Sequence, residues 1–243
     1  MIIADFESTH QGWIHSISYT PVQFTHKKHW KSRGRGFDPV YTKATSVTHG
    51  PVTTIVIRDI VTDPSVREMT DVRHKLSGLV TDAAELGQTE ILVMEFKEAL
   101  EKFLMDAGDA WLAHSIDNDI DFLVKTDQRL GTGLFRRDPK AYPNTCCRLA
   151  EWSKVAKVCT QQILTRRCPN FWKAYGGTSA RLCHLAEFVG CSPQTHTPAR
   201  DVLDLFQVLA RAYELDQFQV EEGCSYMICK PVQTYAPLNQ TTL

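Results

Sequence analysis

Asp5 and Glu7 stand one residue apart at the end of an apolar run, within Met1-Ile2-Ile3-Ala4-Asp5-Phe6-Glu7-Ser8-Thr9-His10. In a strand the side chains repeat every two residues, so both carboxylates point to one side and Phe6 points to the other, toward packing. Two like charges side by side repel, and burial raises that cost; a cation between them removes it. A solvated strand end is the bland alternative, and partners elsewhere in the chain decide between the two.

Two further stretches offer such partners. His114-Ser115-Ile116-Asp117-Asn118-Asp119-Ile120-Asp121-Phe122-Leu123 follows the short apolar segment Trp111-Leu112-Ala113. Asp119, Phe122 and Leu123 have the spacing of a helix start anchored by apolar residues. Asp119 is thereby expected at the carboxyl end of a strand, where ligand sites of α/β sheets form. Asp117 and Asp121 compete for that role, or serve as first-turn acids favoured by the helix dipole. Farther on, Val202, Leu205, Phe206, Leu209 and Tyr213 describe an amphipathic helix from Pro198, with Asp201 one turn inside it and His196 in the loop before it. Four carboxylates, from a strand and two helix starts, are then joined by one histidine.

The elements that must position them follow from the pattern. Residues 13–22, WIHSISYTPV, alternate as a strand that pairs antiparallel with the first after a turn at His10-Gln11-Gly12. Residues 53–60, TTIVIRDI, are β-branched and extended. Thr62 to Gly78 has a weak pattern with room for a short helix. Ile91, Leu92, Met94, Phe96, Leu100, Phe103 and Leu104 predict one helix over 89–105. Leu149, Trp152, Val155 and Val158 predict another, and Leu182, Leu185, Ala186 and Val189 a third.

Charge is unevenly spread. Residues 26–36, HKKHWKSRGRG, hold Lys27, Lys28, Lys31, Arg33 and Arg35 with no acid. This is expected as a loop, either solvated or gripping phosphates, with Trp30 available to stack on a base. Residues 58–109 hold twelve acids against six basic residues, so that part is expected to face away from a polyanion. Residues 136–173 hold nine Lys or Arg against Asp138 and Glu151, and Arg166, Arg167, Phe171, Trp172, Lys173 and Tyr175 form a basic, aromatic patch.

A net charge of -1 over 243 residues argues against a bulk basic coat for nucleic acid. No apolar stretch approaches a bilayer span, and the amino terminus lacks the basic-then-apolar order of an export signal; an intracellular protein, more in keeping with the cytoplasm than with secretion and without a membrane partner, is expected. The eight cysteines lack paired CxxC spacing, so scattered reduced thiols are expected ahead of a disulfide scaffold or a zinc assembled from distant residues.

Taken together, the motifs resemble the DEDDh (DnaQ-like) group of 3′-to-5′ exonucleases. That family's Asp-x-Glu motif is matched by Asp5-Phe6-Glu7. Its His-Asn-Ala-x-Phe-Asp-x-x-Phe-Leu motif is matched by residues 114–123, in a register that selects Asp119. Its His-x-Ala-x-x-Asp-Ala motif is matched by His196 to Val202. His10, Asn118, Pro198 and Val202 depart from the common residues without removing a ligand. The resemblance spans Met1 to about Tyr213 and covers 131–174 and the tail after Gly223 less well.

The resemblance implies a ribonuclease H-like α/β fold, a central mixed five-stranded sheet flanked by helices, over residues 1–222, with 223–243 as a tail. It implies two ions, Mg2+ or Mn2+, held by Asp5, Glu7, Asp119 and Asp201, with His196 as general base and nucleoside 5′-monophosphates released from 3′ ends of single strands. Thr9 and His10 would contact the terminal nucleotide. DNA versus RNA is open, as are oligomeric state and a polymerase partner. The alternative is the same fold used as a non-catalytic nucleic-acid-binding or protein-interaction module.

Overall fold

The computed structural model describes residues 1–33, 36–86, 90–138, 140, 145–192, 197–216, 218–219 and 230–231, with side chains outside 25–46, 82–84, 167 and 217 onward. In chain order, β1 (Ile2–Ser8), β2 (Ile14–Arg33), β3 (Gly36–His49) and β4 (Thr53–Ile57) lead into α1 (Arg58–Val61), α2 (Pro64–Arg67) and α3 (Thr70–Leu86). Then come β5 (Glu90–Met94), α4 (Phe96–Ala107), β6 (Ala110–Ala113) and α5 (Ile116–Leu130). A small antiparallel pair, β7 (Phe135–Arg137) and β8 (Thr145–Cys147), precedes a 3-10 turn at Ala150–Ser153 and β9 (Ala156–Cys159). Helices α6 (Thr160–Arg167), α7 (Pro169–Tyr175), α8 (Leu182–Phe188) and α9 (Pro198–Asp216) complete the layer.

Among the described residues, the main sheet has the order β5-β4-β2-β1-β6-β9, with β3 paired to β2 beyond it. β1 is antiparallel to β2 and parallel to β6; β9 is parallel to β6, and β4 is antiparallel to β2. These five strands, β4-β2-β1-β6-β9, are the expected mixed sheet, and the architecture is ribonuclease H-like α/β. β5 extends its edge by pairing parallel with β4.

The two faces follow from the period of β1. Ile2, Ala4 and Phe6 enter a core shared with α4, α5 and Trp111, where the Phe6 ring centroid lies 5.2 Å from Phe103 and 5.0 Å from Trp111. Burying a side chain of that size contributes about 1.5–3 kcal/mol. Ile3 enters the opposite core with Leu112, Phe171, Val202, Leu205 and Leu209. Asp5 and Glu7 continue the Ile3 face, toward α9.

Three expectations are corrected. Residues 26–33 and 36 are strand rather than loop: the backbone pairs across a β2–β3 hairpin, with Lys27 opposite Lys43 and Lys31 opposite Asp38. A two-stranded ribbon satisfies its amides without an apolar face, so composition alone hides it. Residues 90–94 are β5, not the start of the helix, which begins at Phe96; a short apolar run fits either element, and pairing with β4 decides it. Over 149–158 a buried Trp152 on a 3-10 turn and strand β9 replace the expected helix, because Ala156 to Cys159 pair with β6. Of the basic, aromatic patch, Phe171 is buried and Tyr175 packs on Phe188 at 5.2 Å, while Arg166 and Lys173 are exposed.

No helix among the described residues is long and apolar enough to cross a membrane. The six described cysteines are free thiols.

Candidate metal centre

β1 and β6 run parallel, so their carboxyl ends emerge at one edge of the sheet. β1 delivers Asp5 and Glu7 there, opposite Ser18 and Ser16 of β2, and a bulge after Glu7 ends the regular pairing. From β6 the chain turns through Ser115, whose φ of 62° and ψ of 45° are left-handed. Its hydroxyl donates to Gln161 Oε1 at 2.7 Å. His114 is held between Thr160 Oγ1 at 3.2 Å and the Ala180 carbonyl at 2.6 Å. Such a backbone conformation costs of order 1–3 kcal/mol and persists where neighbours enforce it. Here the turn aims the first turns of α5, and with them Asp119, at the strand ends.

The register of α5 separates its three acids. Asp119 is buried, Asp117 is exposed, and Asp121 pairs with Lys125 at 2.6 Å on the solvent side. α9 crosses the Ile3 face of the sheet and brings in Asp201, 7% exposed, whose amide donates to the Thr197 carbonyl at 3.0 Å.

Oxygens of Asp5, Glu7 and Asp201 all lie within 4.8 Å of one another. Burial, then the Asp201, Glu7 and Asp119 carboxylates, push the Asp5 carboxyl well above the usual range, with Lys75 opposing. Asp119 is raised by burial, then by Glu7 and Asp117. Asp119 thus enters the same electrostatic field without belonging to the tight group of three.

Lys75 was not legible from the sequence. It lies one turn after Asp71 on α3, in the stretch whose pattern is weak, and its ammonium pairs with Glu7 Oε2.

A hard divalent cation fits this donor set. All three groups offer carboxylate oxygens, and ligands at 2.0–2.6 Å on opposite sides of an ion stand about 4–5 Å apart. The crowding that raises Asp5 is the repulsion such an ion relieves.

Other residues singled out in the sequence lie outside this group of three. Thr9 is buried and its hydroxyl accepts from the Trp13 amide at 3.2 Å, holding the β1–β2 turn, while His10 is exposed on that turn. The basic stretch leaves the sheet at the other end. Ile2 pairs with Pro21, and beyond it β2 continues with β3 alone. At about 3.3 Å per residue, roughly 35 Å of strand separates Lys27 from Ser16, the partner of Glu7. The structure therefore does not bring Lys27, Lys28, Trp30, Lys31 and Arg33 to the carboxylates. Arg35 and His196 lie outside the described residues.

Fold and cluster together define a ribonuclease H-like α/β protein with a candidate carboxylate metal site, an arrangement consistent with nuclease chemistry in general. No protein-family model matches the chain, and no curated protein matches it.

Proposed function

We propose that the chain is a metal-dependent 3′-to-5′ exonuclease of the DEDDh type, hydrolysing terminal phosphodiesters of single-stranded DNA or RNA to nucleoside 5′-monophosphates. The observation that carries this reading is the convergence of Asp5, Glu7 and Asp201 at the carboxyl edge of a ribonuclease H-like sheet. Two Mg2+ or Mn2+ ions about 3.5–4 Å apart would supply charge stabilisation at the attacking and leaving oxygens.

In this reading Asp5, Glu7 and Asp201 hold the ions, and Asp119 completes the set directly or through water. Asp5, central to the group, is the bridging ligand. His196 takes the proton of the attacking water, a task suited to an imidazole near neutrality. Thr9 and His10, on the turn after β1, lie next to the terminal nucleotide. The β2–β3 hairpin, carrying Lys27, Lys28, Trp30, Lys31 and Arg33, meets the strand well away from the reacting end, so it is out of reach of a dinucleotide; Arg35 would act with them.

The test is a time course on 5′-labelled single-stranded DNA and RNA of matched sequence, with Mg2+, with Mn2+ and with chelator. Stepwise shortening from the 3′ end and release of 5′-monophosphates, only with metal, is expected. Metal-saturated protein that leaves both strands intact would overturn the reading in favour of a binding module.

A further inference from the structure

We propose that Lys75 is a built-in competitor for the metal: its ammonium occupies a cation position at Glu7, and an ion entering the cluster must displace it. This rests on the metal-site reading above. The pairing with Glu7 Oε2 lies beneath the surface, with side-chain exposures of 24% for Lys75 and 12% for Glu7. The same ammonium acts electrostatically on Asp5 and on His15.

The lysine comes from α3, which is anchored to the start of α9: Arg200 pairs with Glu85, and Gly78 lies against Thr197. The helix is thus placed, while lysine's four-carbon stem is intrinsically flexible. An ammonium is a compact charge without coordination geometry, so it can hold Glu7 and still yield to an ion that takes several oxygens at once.

The consequence is an affinity set below what three convergent carboxylates would otherwise give. Removing a positive charge next to a metal ligand should tighten binding, whereas removing a merely structural ion pair should not.

Mn2+ binding to the metal-stripped full chain, followed by electron paramagnetic resonance of the free ion, separates these cases. Lys75→Met should bind Mn2+ roughly tenfold more tightly than wild type, and Lys75→Arg should stay within about threefold. Unchanged affinity in Lys75→Met overturns the proposal. Should that variant fail to fold, reductive methylation of the wild-type lysines decides instead. Lys75 should be protected without metal and label faster with Mg2+, and labelling insensitive to Mg2+ overturns the proposal.

The two readings fail separately. Tightened Mn2+ binding in a protein that releases no nucleotides keeps the competitor and removes the exonuclease. Nucleotide release with Lys75→Met affinity unchanged does the reverse.

Discussion

At the scale of single residues, the site trades stability for binding. Asp5 is raised by its own burial and by three neighbouring carboxylates, so without metal it is a source of repulsion. Asp5→Asn keeps the shape and removes the charge. It should raise the melting temperature of metal-free protein by roughly 2–4 °C, the effect of about 1 kcal/mol in a domain of this size. The same variant should lose the stabilisation that Mg2+ gives wild type and lose activity. Thermal melts with and without chelator check both signs, and a metal-free variant less stable than wild type would contradict the crowding argument. His196→Ala should leave Mn2+ binding intact and lower single-turnover cleavage by roughly 10²–10⁴-fold. A variant within about threefold of wild type across the acidic limb of the pH profile would remove His196 from the mechanism.

At the scale of elements, helix seams place the carboxylates. A Cβ added at Gly78 would stand 2.9 Å from Thr197 Cγ2, closer than side chains pack, and Thr197 begins the turn that carries Asp201. Alanine ordinarily favours a helix interior over glycine by about 1 kcal/mol. Gly78→Ala should instead lose about 1 kcal/mol in urea unfolding, because overpacking opposes the propensity gain. A gain would mean that α3 and α9 are not in close contact there. The β2–β3 hairpin carries the other element-scale prediction. Neutralising Lys27, Lys28, Lys31, Arg33 and Arg35 together should lower the salt slope of single-strand binding by about 0.7 for every phosphate that the hairpin no longer neutralises. The effect should appear on long strands and not on dinucleotides; an unchanged slope on long strands would make the hairpin a solvated ribbon.

Much of this arrangement was legible in the sequence because period and burial coincide in β1, α5 and α9. Ile3 and Phe6 alternate across β1, and Asp119 and Asp201 ride on helices whose apolar stripes are strong. What escaped had no such stripe. Lys75 reaches the site from a helix whose sequence mixes charges on several faces. Ile91, Leu92 and Met94 satisfy a helix or a strand equally, and only β4 resolves them. The hairpin's pairing is a backbone property that polar side chains do not announce.

At the scale of the whole molecule, acidity should act through His15. Its ring is fully buried, donor or acceptor to Ser16 at 3.0 Å, and burial followed by the Lys75 charge lowers its pKa to about 4, with Asp71 opposing. The unfolded chain binds the proton first, so this group destabilises the fold as pH falls below about 6.5, until the folded form protonates as well near pH 4. Relative to His15→Gln, wild type should lose about 3 kcal/mol of stability between those limits. Parallel urea titrations at several pH values measure the difference, and superimposable pH dependences would remove His15 as its source.

The span between Glu7 and Asp201 has a consequence for how the protein comes into being. Glu7 is synthesised well before Asp201, and the cluster is complete only after α9 has been added and has docked on β1 and β2. Chains that end before α9 therefore hold the first two acids without the third, and loop closure over the stretch from Glu7 to Asp201 must precede tight coordination. Ion binding then reports completion: an ion held only by the finished fold stabilises it by about 2.7 kcal/mol at a hundredfold excess over its dissociation constant. A nuclease assembled in this order would stay inactive on the ribosome until α9 closes the site.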